Sequence, residues 1–300
     1  NDPVRLVRVT RAGGALLLLS CICMVACGDR TAEPSAAVDE SDESSRIVTL
    51  SPHLAELVFA VGAGNLDVGV SAYTDYPDQA ATLPIIGDAF NIDQERLALL
   101  SPDLLLAWDT GTPVHVVDEL RRRGYRVEVI TTTKIADVAA ALRRIGELTG
   151  RSGDATARDF ATGIEALAAR YRTASGISVF YQVDTRPLYT INGGHFVSEL
   201  IGLCGGANIF ADLDGLAPLV SVEAVLERDP EVMLASSDAG PAAFDEWDRW
   251  ADLSATRYGN RFLMPADEIG RPTPRLLQAA EAVCEALDTA RRNREAHTHD

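Results

Sequence analysis

The chain has 300 residues, 47% of them hydrophobic and 24% charged, and a net charge of −17. That is apolar material for a full core and length for two lobes, which excludes a disordered chain. The acidic balance excludes nucleic acid and anionic membrane surface as partners, since both would repel it, and favours a neutral ligand or a basic protein partner.

Arg5, Arg8 and Arg11 precede an apolar run from Ala12 to Ala26, which has the length of a secretory signal and is too short for a comfortable membrane span. The run ends Met24-Val25-Ala26-Cys27-Gly28, the pattern of a bacterial lipobox with Met where Leu is usual. Residues 1–27 are assigned to a signal and lipoprotein segment with Cys27 as the lipidated thiol; a plain signal peptide cut near Ala26 is the alternative. Residues 28–45 are small, polar and acidic without apolar periodicity, so a disordered linker is expected. The expected location is the periplasm, with membrane contact only through the lipid.

The folded body opens at Arg46. Ile47 to Leu50 is a β-branched apolar run, Ser51-Pro52 breaks it, and Leu54, Leu57, Val58 and Val61 recur at helical spacing until Gly62 and Gly64. Val68 to Val70 starts a second strand, which makes a parallel βαβ unit whose ligand side lies beyond the strand ends, at Ser51 to His53 and Ser71 to Pro77. Leu83 to Ile86 is a short apolar run, and Asp93 to Leu100 reads as a helix. Leu104 to Trp108 is a buried strand and Val114 to Arg123 a helix closed by Gly124. Tyr125 to Ile130 is a strand and Ile135 to Leu148 an amphipathic helix stopped by Gly150. Residues 46–150 therefore form an N-terminal α/β lobe.

From Asp154 to Arg172 one long helical run carries Phe160, Ile164, Leu167, Ala168 and Tyr171 on a single stripe. Residues 151–173 are assigned to it. The second lobe, residues 174–292, reads as strand Ser178 to Val183, Leu188 to Thr190, the turn Asn192-Gly193-Gly194 and a helix from Val197 to Leu203 with a glycine stop at Cys204-Gly205-Gly206. A short helix follows from Val222 to Leu226, then strand Val232 to Ala235, a helix from Pro241 to Ala251 carrying Trp247 and Trp250, strand Arg261 to Met264, and a closing helix from Pro274 to Leu287. Residues 293–300, with His297 and His299, read as a polar tail. The fold class is α/β: parallel sheets flanked by helices in two lobes, joined by one long helix.

The sequence has no GxxxxGK[ST], GxSxG or HExxH motif, and Gly62-Ala63-Gly64 lacks the third glycine of a dinucleotide loop. Nothing calls for a cofactor, and the five histidines are too scattered for a metal site. An enzyme on this scaffold would have His53, Asp75 and Asp267 to work with. His53, at a strand end, is read as facing the cleft and able to touch a ligand or a bound metal. Tyr73, Phe90, Trp108 and Tyr189 are the stronger candidates: they sit at carboxyl ends of strands, where aromatic faces hold a flat macrocycle.

The run from Arg46 to Pro77, the motifs AYTDYP and LAWDTG, and ADEIGRPTPRLL from Ala266 to Leu277 resemble the periplasmic binding proteins that serve cobalamin, haem and siderophore importers. The resemblance extends from about Arg46 to about Leu287 and is greatest to the cobalamin-binding members. It implies a monomer that captures a corrinoid between two lobes joined by the long helix and delivers it to the membrane subunits of an ABC transporter; haem or a ferric siderophore is the alternative ligand. Tyr73 and Trp108 match ligand-contacting aromatics, and Tyr189 falls where the cobalamin binders have phenylalanine. Asp267 and Arg271 match a DxxxRxxPR pattern and would hydrogen-bond the amide rim of the corrinoid, with Arg275 serving a helix start or a local ion pair. Two tryptophans are missing from the pattern: Ala89, beside Phe90, replaces one, and the other is lost near Ala217-Pro218. The resemblance further implies a Cys204–Cys284 disulfide, consistent with an oxidising compartment. Glu95 and Glu223 are implied as docking carboxylates for the transporter, and both open a short helix followed by a proline turn and a strand.

Overall fold

The computed structural model describes residues 45–298. The expected leader with Cys27, all but the last residue of the expected linker, and His299 lie outside the described residues. Strand Ile47–Thr49 (β1) is buried and runs into helix Pro52–Ala60 (α1), whose proline occupies a position where a helix has no use for an N–H. Strand Asp67–Val70 (β2) returns parallel to β1. Asp78–Ala81 (α2), Gln94–Leu100 (α3), Leu104–Trp108 (β3), Val114–Arg122 (α4), Val127–Ile130 (β4) and Ile135–Thr149 (α5) complete a parallel sheet in the order β2-β1-β3-β4. Alternation along the strands sends Ile47, Leu104 and Leu106 to one apolar layer with α1 and α5, and Val48, Leu50 and Leu105 to another with α3 and α4.

Helix Asp154–Tyr171 (α6) leads to the second lobe with Ala157, Phe160, Leu167 and Tyr171 buried. That lobe contains Ile177–Gln182 (β5), Asp184–Thr185 (β6), Leu188–Tyr189 (β7), Phe196–Leu203 (α7), Gly206–Asn208 (β8), Val222–Arg228 (α8), Val232–Ser236 (β9), Ser254–Arg257 (α9), Arg261–Met264 (β10), Ala266–Gly270 (α10) and Leu276–Thr298 (α11). Its parallel sheet, read as β8-β5-β9-β10, repeats the connectivity of the first. One apolar cluster joins residues of both lobes through α5, α6, α7 and α11. A shared core of this kind argues for small relative motion of the lobes.

The repeat extends to detail around α3 and α8, each of seven residues. Asp93 and Ser221 cap them by accepting from the N–H of Arg96 and Ala224. Both helices end in a left-handed residue, Ser101 (φ 44) and Asp229 (φ 39). Past the following proline, Asp103 accepts from the Arg46 N–H at 2.7 Å and Glu231 from the Ser178 N–H at 3.0 Å, each fastening its segment to the start of the central strand.

Three segments differ from the sequence reading. Gly206–Asn208, read as part of a glycine stop, is the edge strand β8; Gly-Ala-Asn has no strand preference of its own, and pairing with Ile177 to Val179 imposes it. Pro241–Arg249 is a 3-10 helix rather than an α-helix. Gln182 Nε2 donates to the Ala243 carbonyl at 2.7 Å, occupying an acceptor that an α-turn would use, while Trp247 Nε1 donates back to Gln182 Oε1. The expected polar tail is helical, because α11 continues to Thr298. Arg294 fastens it to the lobe, donating to the Gly176 carbonyl and pairing with Glu231, one turn after Arg291 donates to the carbonyls of Ser175 and Cys204. His297 tilts against Tyr258.

A disulfide joins Cys204, at the end of α7, to Cys284 in the middle of α11, both fully buried, across 80 residues of sequence. Closing a loop of that length removes denatured-state entropy equivalent to about 4 kcal/mol. Replacing both cysteines by alanine is therefore expected to lower unfolding free energy by about 3–4 kcal/mol, read from denaturant melts; an unchanged midpoint would show that the crosslink contributes nothing.

Asp67 is a buried carboxyl in β2. Thr49 Oγ1 donates to its Oδ2 at 3.2 Å, while Oδ1 has no partner among the described residues. Burial, opposed by the hydrogen bonds from Thr49 and Gly69, pushes its pKa up to about 8. The folded state therefore holds a proton that the unfolded chain releases near pH 4, and this contribution to stability is lost as pH rises from about 4 through about 8. In Asp67→Asn the stability lost per pH unit between 5 and 7 is expected to be smaller than in the wild type by up to about 1.4 kcal/mol, the value for one proton. Parallel pH profiles for the two proteins would contradict a protonated Asp67.

Candidate ligand-binding site

Trp108 ends β3 and stands between two cavities. One, of about 320 Å³, is lined from the first lobe by Trp108, Thr110, Thr132 and Thr133 and from the second by Tyr181, Val183, Ile191, His195, Phe196 and Leu216, with Ile269 and Gly270 closing it. It lies beyond the carboxyl ends of β3, β4 and β5, where open parallel sheets place their ligands. The other, of about 380 Å³, is bounded by Leu50 to Pro52, Ser71 to Tyr73, Asp88 to Phe90 and Gly111. Both fall in the size range of small-molecule sites.

The Trp108 indole is fixed from two sides. A Cβ at Gly111 would overlap its six-membered ring, so only glycine lets the loop close over it. On the other side the His53 ring meets it edge-on, with centroids 4.7 Å apart. The Trp108 backbone N–H donates to Thr112 Oγ1 at 3.0 Å, while the indole Nε1 is buried without a partner among the described residues.

His53 itself does not face the cleft. It is buried in the first turn of α1, its Nδ1 2.7 Å from Ser51 Oγ and its Nε2 3.3 Å from Thr132 Oγ1, so neither nitrogen is open to a ligand or a metal. Burial, reinforced by the charge of Arg271, lowers its pKa to about 3 and keeps it neutral. The helix already begins at Pro52, which turns the next side chain inward and makes it a support for Trp108.

Tyr73 and Phe90 stand at the mouth of the second cavity with 83% and 69% of their surface exposed, Tyr73 at a φ of 67°. Large apolar rings left open at a cavity rim mark a surface that something else covers. Tyr189 is half-buried in the β6–β7 ladder; Tyr181, Ile191, Phe196 and Leu216 supply the second-lobe wall. Leu216, Ala217 and the exposed Leu219 occupy the loop from which a tryptophan is missing, leaving an aliphatic face there.

Arg271 reaches across to the first lobe. Its guanidinium donates to Glu56 at 2.9 Å and Asp75 at 2.5 Å and lies 3.1 Å from Asp267, while Arg275 pairs with Glu56 at 2.7 Å and Glu268 at 3.1 Å and covers the Tyr76 ring. Burial disfavours the Arg271 charge, but the hydrogen bonds to Asp75 and Glu56 outweigh it and raise its pKa; the same Arg271 bond holds Asp75 below the usual carboxylate range. Arg271 and Asp267, expected to hydrogen-bond a ligand's rim, form here a clasp between α10 and the first lobe. Glu56, buried at its centre, was not anticipated. The signal was present in HLAELVFA, where one acid inside an apolar helix demands a cationic partner, and in the two arginines of GRPTPR.

Glu95 and Glu223 are exposed in the first turns of α3 and α8, and hydrogen bonds at the start of α8 lower the Glu223 pKa.

The family model described as periplasmic binding protein matches residues 47–268. The chain belongs to the periplasmic binding protein family. Among relatives in that family, the vitamin B12-binding protein of Vibrio parahaemolyticus is 34% identical over 256 residues, covering 83% of this chain and 91% of that one. The solved periplasmic vitamin B12 binding protein of Vibrio cholerae is 36% identical and superposes with a TM-score of 0.76 over 82% of this chain and 98% of that one. The periplasmic haem binding protein of Vibrio cholerae, at 21% identity, shares the fold, with a TM-score of 0.69 over 81% of this chain and 99% of that one. Two-lobed periplasmic binding proteins thus supply the frame for the cleft described above.

Proposed function

We propose that this chain captures a corrinoid such as cobalamin between its lobes outside the cytoplasm and hands it to the membrane subunits of an ABC transporter. The observation that carries this reading is the immobilised Trp108 shared by two cavities, in a chain about one-third identical to vitamin B12-binding proteins. Trp108, Tyr73 and Phe90 supply apolar faces to the macrocycle, and Tyr189 borders its second-lobe side. Asp267 and Arg271 serve the rim only when the clasp with Asp75 yields a hydrogen bond to the ligand. The corrinoid is cargo and not a cofactor. We assign no catalytic residue, since His53 is sequestered and Asp75 and Asp267 are committed to Arg271. Glu95 and Glu223 are the proposed docking carboxylates of a monomer tethered in the periplasm through a lipid on Cys27.

The reading is tested by melting the purified protein with cyanocobalamin, haemin or a ferric siderophore. A ligand at one hundred times its Kd stabilises by about 2.7 kcal/mol, which shifts the midpoint of a protein this size by about 5–10 °C. Only cyanocobalamin is expected to produce the shift. A shift with haemin or the siderophore alone would transfer the assignment to that ligand.

A further inference from the structure

His195 precedes α7 and lines the interlobe cavity, stacked on Phe196 at a centroid distance of 4.5 Å. Its Nδ1 accepts the Val197 backbone N–H at 3.2 Å. A nitrogen that accepts a hydrogen bond holds a lone pair, so the proton of the neutral ring sits on Nε2. Burial lowers the pKa of the ring to about 4 and keeps it neutral at ordinary pH. Among the described residues Nε2 has no protein partner, it is not sealed from solvent, and the ring borders the cavity. The cavity thus receives an N–H donor, and a ring tied in this tautomer cannot give Nε2 to a metal.

The rest of the lining agrees in charge. Thr110, Thr132 and Thr133 contribute hydroxyls, those of Thr132 and Thr133 bonded to His53 Nε2 and Asp109 Oδ2, and among the described residues no Asp, Glu, Lys or Arg lines this cavity. Of the charges beside it, Asp109, which lies between Trp108 and Thr110 in sequence, accepts from Thr133 Oγ1 at 3.4 Å, Lys134 pairs with Glu199 at 3.1 Å, and Arg271 lies within its clasp. A neutral N–H donor in a lining without a cation suits an uncharged carbonyl and gives a carboxylate no counter-charge.

Resting on the corrinoid reading, we infer that His195 is a specificity-determining residue whose Nε2–H donates to a carboxamide carbonyl on the ligand rim, so that the cavity selects carboxamide-edged over carboxylate-edged macrocycles. The test separates this role from the capping role. Asparagine is among the best residues at a helix N-cap but is too short to reach the cavity, whereas glutamine carries an amide N–H further out. His195→Asn is expected to melt as the wild type does without ligand and to bind cyanocobalamin about tenfold more weakly, with partial recovery in His195→Gln. Monocarboxylic acids made by hydrolysing one rim amide of cyanocobalamin should include one that the wild type binds at least tenfold more weakly than the parent, a gap that narrows in His195→Asn. Long-range proton–nitrogen NMR should show the Nε2–H tautomer, with that proton shifting when cyanocobalamin is added. If wild type and His195→Asn bind cyanocobalamin equally, or the ring proves to be Nδ1–H, the inference fails while the corrinoid reading stands. If the folded wild type binds no cyanocobalamin, the corrinoid reading itself has failed.

Discussion

Replacing Trp108 with alanine is expected to weaken cyanocobalamin binding by about 2–4 kcal/mol, roughly 30- to 1,000-fold, while the protein remains folded. The size follows from position. Trp108 borders both cavities, so one truncation removes apolar wall from each. It is also prearranged, since Gly111 and His53 hold the ring before any ligand arrives and little side-chain entropy is lost on binding. Survival of the fold follows because Trp108 is only partly buried at a strand end, while β3 is held between β1 and β4. Unchanged affinity in a correctly folded Trp108→Ala protein would remove the indole from the site and favour the haem or siderophore reading.

Reversing both proposed docking charges, Glu95→Lys with Glu223→Lys, is expected to abolish uptake while ligand affinity and melting temperature stay close to wild type. Both side chains are exposed, and their helices are capped by Asp93 and Ser221, so the fold does not depend on them. Loss of a carboxylate near a helix N-terminus costs only about 0.3–1 kcal/mol per site. Two opposed charges on a protein–protein surface act instead on encounter and register. The shared core and α6 hold the two carboxylates at a fixed separation, as a matched pair of receptor contacts requires. Single reversals should be weaker than the double, and raising salt should slow delivery by the wild type. Uptake by the double variant at the wild-type rate would mean that the transporter reads another surface.

The frame was legible because its signals are local. Strand Leu104–Trp108, helix Ile135–Thr149 and helix Asp154–Tyr171 each carry their own period and their own stops, and the structure places them within a residue or two of the spacing. β8 was not legible, since Gly-Ala-Asn becomes a strand only because the edge of β5 is free to pair with it. The continuation of α11 was hidden in residues that look like a solvated tail and instead bond to groups far away in sequence, as Arg294 does to the Gly176 carbonyl. In the candidate site, aromatic type at strand ends pointed to Trp108 and Tyr73, which border its cavities. The orientation of His53 depended on where a helix begins, and the partners of Arg271 on residues about 200 positions away. His195 escaped notice because nothing in Gly-Gly-His-Phe shows that its other nitrogen would be held by a backbone N–H.

The most direct test of corrinoid capture at the interlobe cleft is a calorimetric titration of the purified, circular-dichroism-verified protein with cyanocobalamin. The account predicts saturable binding at one site per chain, with a negative heat-capacity change from burial of Trp108, Tyr73 and Phe90. The absence of binding in folded protein, under conditions where haemin or a ferric siderophore saturates it, would contradict the account.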